Sequence, residues 1–76
     1  MSMHFDEELD CSGLSCPMPV LKLSKAIKKM DDGKVIKMIG TDPGSLDDVP
    51  KLCKRIKCEL LSTSEEDSKY IYYVKK

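Results

Sequence analysis

Pro17 and Pro19 stand one residue apart, and that pair restricts where a helix can begin. Proline lacks an N–H, so it suits a helix's first turn and disrupts a helix interior or a central strand. Behind the pair, Val20, Leu23, Ile27 and Met30 recur at helical spacing, with lysines and serines on the other face. The spacing predicts a first helix over Pro17 to Met30, stopped by Asp31-Asp32-Gly33. Ahead of it, Phe5 to Cys11 reads as a first strand that ends in a turn at Ser12-Gly13. Cys16 then falls at or just before the N-cap, where the helix dipole and free N–H groups favour a negative sulfur. With two prolines in place, the N–H groups left for that sulfur are those of Met18 and Val20. Such a position lowers a thiol's pKa. The sequence nominates Cys16 as a nucleophile.

Lys34 to Ile39 is largely apolar and reads as a second, central strand. Thr41-Asp42-Pro43-Gly44 turns the chain into a second helix, with Val49, Leu52, Cys53 and Ile56 on one face. Pro50 fits that helix if Asp47 or Asp48 caps its start. Glu59 to Thr63 is a third strand, Ser64 to Ser68 a polar turn, and Tyr70 to Val74 a fourth strand. The order is βαβαββ. The two crossovers imply parallel neighbours and the closing pair an antiparallel hairpin, so the sheet is mixed. We expect an α+β, two-layer sandwich: a four-stranded sheet with two helices on one face. Its other face would turn either Tyr70 and Tyr72 or Ile71 and Tyr73 outward. The 76 residues, 1–76, make a single domain, too small for a large enclosed cavity.

Thirteen basic and thirteen acidic residues cancel, and no basic run is interleaved with aromatics. Direct nucleic-acid binding is therefore not expected. No apolar run approaches the roughly 20 residues of a membrane span, and the acidic N-terminal stretch is no signal peptide. The expected setting is the cytoplasm, with reduced thiols. His4 is the only imidazole, so neither a Cys–His nor a Ser–His dyad can form within the domain. There is no glycine-rich phosphate loop, and a metal site would need three or four cysteines to converge; no cofactor or metal is expected. Cys53 reads as core and Cys58 as a structural residue where helix meets strand. Cys11 is a small residue at a strand end, or a resolving thiol if the Ser12–Ser15 turn folds back toward Cys16. Gly13, Pro17 and Pro19 shape the loop. Lys22, Lys25, Lys28 and Lys29 form a solvated helix face, with Lys22 and Lys25 the candidates for docking. A thiolate with no base beside it is suited to sulfur-to-sulfur transfer, as persulfide or disulfide exchange.

The stretch Asp10-Cys11-Ser12-Gly13-Leu14-Ser15-Cys16-Pro17-Met18-Pro19 resembles the D-x-x-G-L-x-C-P-x-P signature of the TusA/SirA-like sulfur carriers. Gly33, Thr41-Asp42-Pro43, Asp48-Val49-Pro50, Glu59-Leu60 and the Tyr-rich last strand extend the likeness over nearly the whole chain after Met3. The resemblance implies a βαβαββ sandwich in which Cys16 carries persulfide sulfur, a sulfurtransferase-type relay. Its implied partners are a sulfur-donor protein, a cysteine desulfurase or a rhodanese-like donor, and a protein acceptor. The acceptor would serve tRNA thiolation, cofactor synthesis or sulfur metabolism. Met18 departs from members that carry an acid between the prolines. Cys58 replaces a residue that is often Gly or His, and Cys11 occurs in only part of the family. The alternative reading is a thiol–disulfide redox or regulatory protein using Cys11 and Cys16.

Overall fold

Leu23, Ile27 and Met30 fall on one stripe of a helix, and Val49, Leu52 and Cys53 on one stripe of another. Both stripes are buried against the same sheet face. A computed structural model describes residues 4–15 and 18–76 of the chain. The elements are β1 (Glu7–Cys11), α1 (Met18–Lys29), β2 (Val35–Gly40), α2 (Ser45–Arg55), β3 (Glu59–Glu66) and β4 (Lys69–Lys75). This is the expected βαβαββ order and a four-stranded mixed sheet. Cys11, Ile36, Met38, Tyr72 and Val74 complete the core from the sheet side.

The strand order is β1-β2-β4-β3, which corrects one expectation. β1 and β2 are parallel neighbours, as a crossover implies. β3 is not a neighbour of β2: the hairpin folds β4 back between them, antiparallel to both. The last strand thereby becomes central, and its Tyr70-Ile71-Tyr72-Tyr73-Val74 run is apolar enough for that place. β3 is left at an edge, where polar side chains are tolerated on both faces. It accordingly runs through Ser62, Thr63 and Ser64 to Glu66, beyond the predicted end at Thr63. The turn is only Asp67-Ser68, both with positive φ (48° and 65°), the conformation of a two-residue hairpin.

Two starts also differ by two residues or more, while β2 and β4 begin within one residue of their expected starts. β1 begins at Glu7; Phe5 precedes it and covers the open sheet face, its ring centroid 6.2 Å from that of Tyr73. Lys37 Nζ lies 5.3 Å from the Phe5 ring. Tyr73, on the face expected to be open, is thus only 6% exposed, while Tyr72 on the opposite face is wholly buried. α2 begins at Ser45 rather than at Asp47 or Asp48. Asp42 sets this start: its carboxylate accepts the Gly44 N–H at 3.0 Å, and its carbonyl accepts the Ser45 N–H and hydroxyl. Asp47 and Asp48 lie in the first turn, where they complement the dipole, and Pro50 sits inside the helix.

Candidate functional site

β1 and β2 end side by side at Cys11 and Gly40, and α1 and α2 both start from that end of the sheet. The loop that carries the nominated thiol leaves from here. Cys16 and Pro17 lie outside the described residues; the loop around them is set by contacts on either side.

Asp10 starts the loop. Its carboxylate accepts the Ser12 N–H at 2.9 Å. Hydrogen bonds from the Ser12 side chain and backbone hold its pKa below the usual value, with Lys69 helping. Leu14 N–H donates to the Cys11 carbonyl at 3.2 Å, closing a turn with Gly13 at its third position. The Gly13 φ of 81° is the left-handed value that a type II turn needs there. Gly13 N–H donates to Thr41 Oγ1 at 2.9 Å, tying the loop to the residue just after β2. On the far side, Met18 N–H donates to the Ser15 carbonyl at 3.0 Å. Of the two N–H groups left for a sulfur by the prolines, that of Met18 is therefore already used. Pro19, the second residue of α1, is buried against the core.

Gly13 yields a direct test. Among the described residues, no atom beyond the two chain neighbours lies within 4 Å of the position a Cβ would take, so the cost expected for Gly13→Ala is the backbone cost of left-handed φ. That cost is about 1–2 kcal/mol. A urea midpoint lowered accordingly is expected; an unchanged midpoint would mean that the turn relaxes into another conformation.

Cys11 is wholly buried, and burial raises its thiol pKa, with Asp10 adding to the shift and Lys22 opposing it. Lys22 and Lys25 are exposed on α1, alongside Met18 and Leu21, 44% and 47% exposed. Leu46 in the first turn of α2 is also exposed. This end of the molecule thus carries apolar and cationic side chains together. No acid stands in the first turn of α1, so nothing there competes with a negative sulfur. Cys53 is buried and Cys58 half-buried at the opposite end, where α2 stops and β3 begins.

Sequence reasoning missed three supporting residues. Thr41 holds Gly13 from 28 positions away. The Ser45 hydroxyl donates to the Asp42 carbonyl at 2.8 Å and lies 2.6 Å from the Tyr72 hydroxyl, which must then be the donor to Ser45. Burial raises the Tyr72 pKa and keeps that proton in place, although the Ser45 contact pulls the other way. The only available signal was the Thr41-Asp42-Pro43 turn, whose partners are distant in sequence.

Among the described residues, no helix is long and apolar enough to cross a membrane. The family model Sulfurtransferase TusA matches residues 7–76. The sulfur carrier protein TusA of Allochromatium vinosum is 43% identical over 72 residues, covering 95% of each chain. That of Pseudomonas entomophila is 42% identical over 71 residues, 93% of this chain and 89% of its own. The crystal structure of a SirA-like protein from Desulfitobacterium hafniense superposes with a TM-score of 0.75 over 92% of this chain and 95% of that one. At 21% identity that likeness speaks for the fold. Matched along almost its whole length by that family model, and by relatives of nearly equal length, the chain belongs to the TusA sulfurtransferase family.

Proposed function

We propose that residues 1–76 act as one sulfur-carrier domain that accepts sulfane sulfur as a persulfide on Cys16 and relays it to an acceptor protein. The Cys16 thiolate attacks the outer sulfur of a donor protein's cysteine persulfide. A new S–S bond forms at Cys16, the donor's S–S bond breaks, and the donor cysteine leaves as a thiolate that takes up the proton. The observation that carries this reading is the distribution of thiols in a member of this family. None of the three described cysteines is exposed, so the surface chemistry of a carrier falls to Cys16. Cys11, wholly buried at the strand end, packs in the core in this reading. Gly13, Pro17 and Pro19 present the loop. Lys22 and Lys25, with Met18 and Leu21 beside them, form the docking face for a cysteine desulfurase or rhodanese-like donor and for the acceptor. The acceptor belongs to tRNA thiolation, cofactor synthesis or another branch of sulfur metabolism, and the setting is the cytoplasm.

Mass spectrometry after exposure to a protein persulfide donor tests the proposal. Cys11 and Cys16 share one tryptic peptide, with no Lys or Arg between them. That peptide should gain the mass of one sulfur. If it instead loses two hydrogens, the two cysteines act as a redox pair and the carrier reading fails.

A further inference from the structure

Far from the Cys16 loop, α2 ends in a cap that joins two cysteines. Ile56 is the C-cap residue, Lys57 follows with a φ of 59°, and Cys58 N–H donates to the Cys53 carbonyl at 2.9 Å. This is the long hydrogen bond of a Schellman motif, whose third-last helical residue and second residue past the cap regularly touch. Apolar side chains usually make that contact. Here Cys53 and Cys58 hold those two positions, and Cys58 packs against the core cluster that contains Cys53. Non-glycine residues seldom adopt the left-handed conformation seen at Lys57, so the cap keeps this geometry at some backbone cost. Both cysteines line an open cleft whose other walls are Lys54, Lys57, Lys75 and Lys76, against the single acid Glu59.

We propose that Cys53 and Cys58 form a second thiol site, a dithiol that exchanges with anionic low-molecular-weight disulfides and closes into an intramolecular disulfide. Cys58, the more exposed of the two, attacks one sulfur of the small disulfide. The disulfide's S–S bond breaks, one small thiolate leaves and takes the proton, and Cys58 holds the other half as a mixed disulfide. The Cys53 sulfur then attacks the Cys58 sulfur, the mixed bond breaks, and the second small thiolate leaves with the Cys53 proton. Two protein thiols are oxidised and one disulfide is reduced to two thiols. The lysine-lined walls select the anionic reagent, and that selection is screened by salt. Burial first, and the contact with Cys58 second, push the Cys53 thiol up to about 12. It therefore serves as the resolving partner and not as the first nucleophile.

The test uses the full chain carrying Cys16→Ser, so that its outcome is independent of sulfur carriage. The reduced protein is treated with oxidised glutathione or with cystamine, a cationic disulfide, at low and high salt. Lys54, Arg55 and Lys57 separate the two cysteines, so trypsin releases them on different peptides unless a disulfide joins them. The expected product is a protein lighter by two hydrogens, with the Cys53 and Cys58 peptides linked until reduction. It should form several-fold faster with oxidised glutathione at low salt, the gap closing at high salt. A glutathione adduct that persists on Cys58, a disulfide through Cys11, or cystamine reacting equally fast at low salt would each overturn the proposal.

Discussion

Cys16→Ser is expected to abolish sulfur loading while leaving the fold as stable as the parent. The described anchors of the loop lie on other residues. Gly13 is held by Thr41, Leu14 closes the turn on Cys11, Met18 is bonded to Ser15, and Pro19 packs in the core. Loading should nevertheless fall to background, because no other thiol is suited to receive sulfur from a docked protein. Cys11 is wholly buried, and Cys53 is 4% exposed with its acidity suppressed. Cys58 is half-buried at the opposite end of the sheet, beyond the reach of a partner seated on the first turn of α1. Stoichiometric transfer from a labelled persulfide donor, read beside the thermal midpoint, checks both halves. Label on any cysteine of the Ser variant at the parent level would remove Cys16 from the role. A large drop in midpoint would instead give residue 16 a packing duty.

The parts of this molecule legible in the sequence are those whose cause is local. The stripes of Leu23, Ile27 and Met30, and of Val49, Leu52 and Cys53, repeat at the helical period and are buried as that period requires. The extent of β3 was hidden because an edge strand needs no alternation, and Ser62 to Glu66 pair through their backbones. The start of α2 was misplaced because its organising group is Asp42, outside the helix. The insertion of β4 between β2 and β3 follows from which strand best tolerates burial, a comparison of segments and not a property of one. At the candidate site, the turn at Gly13 could be read from glycine placement, but its tie to Thr41 joins two loops 28 residues apart. The Cys53–Cys58 contact escaped notice because each cysteine was read on its own element, whereas the helix cap joins them.

Ser45→Ala should have the largest stability effect among the polar residues that support the loop, larger than Tyr72→Phe although the two side chains share one hydrogen bond. Ser45 is 2% exposed and joins three elements: its hydroxyl donates to the Asp42 carbonyl and accepts from Tyr72 on the central strand. Removing it leaves the wholly buried Tyr72 hydroxyl without that partner. An unsatisfied buried donor costs about 1–3 kcal/mol. Tyr72→Phe removes the same bond from the other side but leaves Ser45 bonded to Asp42, so the loss should be nearer 0.5–1.5 kcal/mol, the net worth of about one hydrogen bond. The double variant orphans no phenol, and its loss should be smaller than the sum of the single ones. For a domain of this length the total stability is on the order of 4–11 kcal/mol, so Ser45→Ala takes a substantial share. The effect should reach the candidate site, because Asp42 adjoins Thr41, which holds Gly13. Urea midpoints at constant m-value for the two single variants and the double complete the cycle. A Ser45→Ala loss no greater than that of Tyr72→Phe would mean that the Tyr72 hydroxyl finds another partner and that the α2 start does not depend on this contact.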